Sequence, residues 1–254
     1  AFSGTDTFAF TGTGNRDTGI LAGQLIPNMR VSAGTRSVAA PTVAGATRSV
    51  IVAGLLQVTG GTLSVAYTNL STGTVETSRV IVNGSFVGSG GAVTLNSNSA
   101  VGLDLALLDI NGPATWSGTT LAMALLNNTR VECAGDWTTD GNVNPTNGTV
   151  VLDGALPSVI ASTAGPGTAR FNNLIIRNAV RTAASTLDVV ANPLTIEASG
   201  GLTAGAQALT YTTGTLTCAG LLGVGSAGSL RFGPTTVLTI SATGTLSVIG
   251  VFGG

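Results

Sequence analysis

One short pattern returns along this chain and limits its fold more than any other feature: apolar, any, apolar, any, glycine. It reads VIVAGLL at 50–56, VIVNGSF at 80–86, VECAGDW at 131–137, LTCAGLL at 216–222 and LSVIGVF at 246–252. Looser copies are LDING at 108–112 and VVLDGAL at 150–156. The glycines are Gly54, Gly84, Gly112, Gly135, Gly154, Gly220 and Gly250, with successive gaps of 30, 28, 23, 19, 66 and 30 residues. Alternation over four or five residues describes a short strand with one face buried. A glycine at the strand's end permits φ > 0 and lets the chain turn a corner. A period of roughly 20–30 residues holds two or three such strands and their turns, which is one coil of a β-solenoid. The gap of 66 spans about three repeats in which the glycine is replaced. Asn192, in VVANPL, is a candidate stand-in, because Asn tolerates the left-handed conformation.

The expected fold is all-β, a single-stranded parallel β-helix of about 9–11 coils at the spacing of stacked strands. A right-handed sense is a fold-level expectation only. Strands rich in Val, Ile and Leu suit parallel pairing. Helix is poorly supported, since long windows of 3.6-residue periodicity are missing and Gly and β-branched residues are frequent. The best helical candidate, LAMALLNN at 121–128, reads as a strand. An antiparallel sandwich explains the alternation but not the return of one motif at coil-like spacing. Residues 1–45 fit less well. TDTFAFTGTG puts Phe8 and Phe10 on one face, but the stretch after it is irregular and holds two prolines. This segment is expected to be an N-terminal arm or irregular end coil, and residues 46–254 the β-helix.

Composition narrows the chemistry. There is no His, and all ten basic residues are Arg. The usual proton shuttle and metal ligand is therefore missing, and so are Schiff-base chemistry and a phosphate-binding lysine. A net charge of −1 argues against an electrostatic nucleic-acid binder. Gly, Ser, Thr and Asn interrupt every apolar run, so membrane insertion is not expected. The chain opens AFSGTDTF, without a basic and apolar leader, as it would after leader removal.

Residues 131–176 resemble a repeat of large bacterial secreted and surface-anchored β-helix proteins, of adhesin type, with the pattern G-x-W-x-x-x-G-x-x-x-x-x-x-G-T-V-x-F-x-G followed by F-x-N-L-x-I. Gly135, Trp137, Gly141, Gly148, Thr149, Val150, Leu152, Gly154, Phe171, Asn173, Leu174 and Ile176 match it. The resemblance implies a parallel β-helix, an extracellular or cell-surface location, and a structural or adhesive role. It carries no catalytic residues across.

Individual residues were weighed against plainer roles. Cys133 and Cys218 take a motif slot held by Val52, Val82 and Val248, and their 85-residue separation puts them about four coils apart. At roughly 19 Å they are beyond disulfide reach, so free buried thiols are expected. Asp136 and Asp140 flank Trp137 in GDWTTDG and form a weak Ca²⁺ candidate, against the plainer reading of two solvated loop acids. A glycosidase carboxylate pair ranks below both. Arg36, Arg48, Arg79 and Arg130 each precede an apolar strand; stacked in an outer row they would suit an anionic glycan, and otherwise they are solvated or pair with acids. Trp116 and Trp137 suit core or corner packing better than sugar stacking. No cofactor is expected.

The ends carry the functional expectation. A solenoid's terminal coils expose strand edges and open core, and natural monomers blunt these with charge or a polar cap. The stretch TVLTISATGTLSVIGVFGG is apolar and uncharged. The expected assembly residues are Phe2, Phe8, Phe10, Leu246, Val248, Val251 and Phe252. Copies of the same chain are the expected partners, stacked head to tail into a filament because contact between unlike surfaces does not close. An N-terminal strand such as DTFAF would complete a neighbour's sheet. A fragment of a long glycan-binding adhesin and a phage or virion fibre component are the alternatives. An enzyme ranks last.

Overall fold

The computed structural model describes residues 5–17, 23–38, 47–66, 77–96, 105–123, 129–140, 148–163, 168–190 and 193–253, and among these there are strands, turns and bends but no helix. Two compact units are present: Ala1–Glu132 with Thr146–Gly148, and Cys133–Pro145 with Thr149–Gly254. Each is a stack of parallel strands.

The first unit begins with β1 (Thr7–Phe10), β2 (Asn15–Asp17), β3 (Leu25–Ile26), β4 (Asn28–Val31), β5 (Thr35–Val38), β6 (Thr47–Val52) and β7 (Leu56–Ala66). It continues with β8 (Thr77–Val82), β9 (Phe86–Asn96), β10 (Leu105–Ile110), β11 (Ala114–Trp116) and β12 (Thr120–Met123). Three ladders run through it. One joins β1, β4, the start of β7, the start of β9, and β11. A second joins β2, β5, the end of β7, the end of β9, and β12. The third joins β3, β6, β8 and β10. β7 and β9 bend between the first two ladders where glycines shift the register, at Gly60–Gly61 and Gly90–Gly91. Residues 5–17 and 23–38, within the expected arm or end coil, thus contribute the ladder strands β1 to β5. LAMALLNN begins in β12, and its remainder, 124–128, lies outside the described residues.

β13 (Thr129–Cys133) ends at the boundary. The second unit holds β14 (Trp137–Thr139), β15 (Thr149–Leu152), β16 (Ser158–Ser162), β17 (Thr168–Phe171), β18 (Asn173–Ile176), β19 (Val180–Ala183) and β20 (Thr186–Val189). It ends with β21 (Leu194–Ile196), β22 (Gly201–Thr203), β23 (Ala208–Cys218), β24 (Leu221–Val224), β25 (Ser229–Ile240), β26 (Thr245–Val248) and β27 (Val251–Gly253). Its ladders are again three. One joins β14, β16, β19, β22, β24 and β26. Another joins β17, β20, the starts of β23 and β25, and β27. The last joins β15, β18, β21 and the ends of β23 and β25.

All described pairings are parallel, and residues stack on residues one coil away. Val52 lies against Val82 and Val82 against Ile110, so coils of the first unit take 30 and 28 residues. Leu152, Ile176, Ile196, Cys218 and Ile240 stack in the second, at steps of 24, 20, 22 and 22. Inward positions are fully buried and mostly aliphatic, as alternation requires. Large and small residues interlock up the stack: Trp116 lies opposite Gly88, and Phe86 opposite Ala114.

The motif glycines act differently from the expectation. Gly54, Gly84, Gly112, Gly154, Gly220 and Gly250 do not adopt a positive φ. They are small because the corners touch: a Cβ on Gly84 would strike the carbonyl oxygen of Gly54, and one on Gly112 would strike that of Gly84. The positive-φ glycines lie elsewhere, including Gly34, Gly91 and Gly214. Asn192 lies outside the described residues. Within the 66-residue gap the left-handed non-glycine among the described residues is Asn178, at φ 69°, whose side-chain amide donates to the carbonyl of Asp153 one coil below. LSVIGVF also changes place. Val248 stacks on Val224 in the ladder of β24 and β26, whereas Cys218 stacks on Ile196 and Ile240 in a different ladder. This copy of the motif turns a different corner of the coil, and Val248 does not share the cysteine slot.

Candidate functional site: the edge of the last coil

Most residues that suggested chemistry are spent on packing. Trp116 is fully buried with its ring centroid 4.2 Å from that of Phe86. Trp137 is buried 5.7 Å from Phe171. Neither face is open to a sugar. Cys133 and Cys218 are free thiols, both buried. Burial pushes the Cys218 thiol above its ordinary pKa, and its Sγ donates to the carbonyls of Gly220 and Thr245.

The four arginines do not form one outer row. Arg36 points inward, donates to the carbonyl of Gly12 at 2.7 Å and lies 5.5 Å from the Phe10 ring centre. Arg48 lies opposite Ser78 and Arg79 opposite Ser49, so alternation turns the two to opposite sides of the sheet. Arg79 pairs with Asp109 at 3.0 Å and Arg130 with Glu132 at 3.1 Å. Further pairs, Arg170–Asp188 and Arg177–Glu197, join neighbouring coils.

Asp136 and Asp140 sit at opposite ends of β14, about 13 Å apart along an extended strand. Asp136 accepts a 2.8 Å hydrogen bond from the backbone N–H of Val159 one coil away. The two carboxylates are not brought together, and no cluster of three or more metal-ligating side chains is present among the described residues.

Sequence reasoning missed Arg181. In β19 it occupies an inward slot and is fully buried. Its guanidinium donates to the carbonyls of Gly154 at 2.9 Å and Leu156 at 2.8 Å and to the Ser158 hydroxyl at 2.7 Å. Desolvation lowers its pKa, against smaller opposing electrostatic influences of Cys133, Asp153 and Asp136. The site clamps the corner below it. Three of the donors are used on the protein itself, so its chemistry is structural. The alternation of VRTA, read against Leu202 and Leu222 above it, was the signal that placed an arginine inside.

The feature with open chemistry is the edge formed by β25, β26 and β27. Among the described residues, β26 pairs only with β24, and β27 only with β25. Leu222 and Val224 of β24 are buried, but Leu246 and Val248, which stack on them, are only half-buried. Ile249, Val251 and Phe252 are 73%, 64% and 57% exposed. Phe252 rests edge-on against Phe232 at 5.5 Å and presents its remaining surface to solvent. Val237 and Ile240 of β25 are also exposed. Along β26 and β27 the edge holds strand backbone paired on one side and flanked by apolar side chains, while β25 carries Arg231 and Pro234. Of the other expected assembly residues, Phe8 and Phe10 are half-buried in β1, at the end of its ladder, and Phe2 lies outside the described residues.

Comparison with known protein families, with curated proteins and with solved structures finds no match to this chain.

Proposed function

We propose that this chain is an extracellular structural building block whose copies assemble through the open edge of the last coil. The observation that carries the reading is the patch of Leu246, Val248, Val251 and Phe252 beside strand edges paired on one side only. Such an edge templates further parallel strands, and a contact between unlike surfaces propagates into a filament rather than closing. Low surface charge favours the same outcome, since only 8% of residues are charged. The chain is read as non-enzymatic, because it has neither His nor Lys and its buried aromatic and sulfur side chains serve the core. An extracellular or surface location belongs to the same reading, by the likeness of residues 131–176 to secreted repeat proteins.

Sedimentation velocity of the full chain at micromolar concentration, paired with negative-stain microscopy, tests this. Concentration-dependent linear assemblies are expected, and Val251→Lys is expected to dissolve them while leaving the far-UV spectrum unchanged. A stable monomer across the range contradicts the proposal.

A further inference from the structure

We infer that the outward face of β16, β19, β22 and β24 packs against the same face of a second copy, about a two-fold axis parallel to the stack. This lateral contact is separate from the edge of the last coil. All four strands are paired on both sides within the chain.

Register and alternation fix what the face presents, because every second residue points outward. Its middle column is Val159, Thr182, Thr203 and Gly223, in order along the stack. Two residues earlier on the same rungs stand Pro157, Val180, Gly201 and Leu221, which form a ridge. The glycine does not break it, since Val180 and Leu221 close over Gly201: a Cβ there would lie 3.0 Å from Val180 Cγ2 and 3.4 Å from Leu221 Cβ. Two residues later stand Ala161, Ala184, Gly205 and Gly225, which form a trough. At its far end the trough deepens into a depression of about 310 Å³, lined in part by Leu221, Gly205, Gly223 and Gly225.

A ridge and a trough on opposite sides of one column make the face complementary to itself. Turning a second copy about an axis along that column seats each ridge in the other trough, rung by rung. Leu221 then enters the depression over Gly225 of its mate, and Val180 lies on Ala184. Thr182 meets its own counterpart across the axis, and so does Val159, which is 38% exposed in the single chain. A copy turned end for end would instead set ridge on ridge and trough on trough. The face carries no charged residue, so no ion is desolvated when two copies meet. The contact is isologous and closes as a dimer. Four rungs at about 4.8 Å and five residues at about 3.3 Å make the face roughly 15 Å square. That is the small end for a specific contact, and a weak dimer at high micromolar concentration is expected.

Sedimentation equilibrium of the full chain carrying Val251→Lys tests the contact with assembly through the edge suppressed. Dimers are expected as concentration rises. Thr182 is exposed on the surface, so its replacement leaves the fold intact. Thr182→Arg and Thr182→Glu, each alone, are expected to weaken the dimer by about tenfold or more, because like charges meet across the axis. An equal mixture of the two is expected to restore it. Ala184→Val is expected to weaken the dimer by overfilling the trough, and adding Val180→Ala to the same chain to recover it. A monomer at every concentration, or dimers indifferent to charge at Thr182, overturn the lateral contact and leave the edge reading standing. Dimers weakened by both charges but not restored in the mixture overturn the two-fold arrangement. Wild-type chain that stops at dimers, with the Thr182 and Ala184 results as expected, overturns the edge reading and leaves this contact standing.

Discussion

Replacing Gly84 separates two explanations of the corner glycines. If these residues were needed for a left-handed backbone, Asn would be the mildest substitute, because it tolerates that conformation. The structure gives Gly84 an ordinary φ and a crowded neighbour instead. An added Cβ would strike the Gly54 carbonyl oxygen, with the carbonyl carbon at 2.8 Å and Cα at 3.0 Å. All three atoms are backbone, so no rotamer relieves the contact. Carbon atoms prefer roughly 3.5–4.0 Å, and the two coils must part by the better part of an ångström at this corner. That displacement strains the bond from the Asn83 N–H to the Val52 carbonyl, 2.8 Å long. Overpacking of this kind costs about 1–3 kcal/mol and a weakened hydrogen bond about 1 more. Gly84→Ala is therefore expected to destabilise by about 2–4 kcal/mol, and Gly84→Asn by at least as much. Gly205 reverses the order. It has φ +49° and nothing within 4 Å of its would-be Cβ, so Ala costs about 1–2 kcal/mol there and Asn less. Urea unfolding of the four variants, read as shifts in midpoint at constant slope, decides the matter. A Gly84→Asn variant more stable than Gly84→Ala would refute the steric account.

Three further outcomes follow from buried groups. Arg181→Leu leaves the Gly154 and Leu156 carbonyls without their donor, and an unsatisfied buried acceptor costs about 1–3 kcal/mol. A loss of roughly 2–5 kcal/mol is expected in thermal unfolding, and an unchanged melting temperature would show that the clamp is dispensable. Desolvation raises the Asp109 pKa above the ordinary carboxylate value despite its bond to Arg79. A raised folded pKa means that the native state holds the proton more tightly, so its contribution to stability is full below the unfolded pKa and is lost as pH rises through the folded one. Wild type should therefore gain stability relative to Asp109→Asn as the pH is lowered through that window, and a wild type that loses stability relative to Asp109→Asn on acidification would contradict the burial argument. Both thiols should be inert to Ellman's reagent until the chain unfolds, because both are buried and burial holds Cys218 protonated. Rapid labelling of the folded chain at neutral pH would show that one of them is reachable.

Alternation and the recurring glycine made the parallel coil readable from the sequence, because both are local consequences of stacking identical rungs. The motif did not reveal which corner of the coil it turned. LSVIGVF and LTCAGLL look alike, yet the first runs from β26 into β27 and the second from β23 into β24. A corner between strands is built the same way wherever it occurs. The arginine row failed for a related reason. A one-residue difference in register between Arg48 and Arg79 reverses the side each one faces, and spacing from an apolar run does not fix register to one residue. Arg181 was hidden because an inward arginine is legible only once the columns above and below it are known. The edge residues were legible as an apolar, uncharged stretch, but the confinement of their exposure to the outermost rung needed coordinates.

Amide hydrogen exchange along β24 and β26, measured over a range of protein concentrations, tests most directly whether a second copy covers the edge. The account predicts that β24 is protected throughout, while the amides of Thr245–Val248 pass from fast to slow exchange as assemblies form. Fast exchange in β26 at every concentration, beside a protected β24, would contradict it.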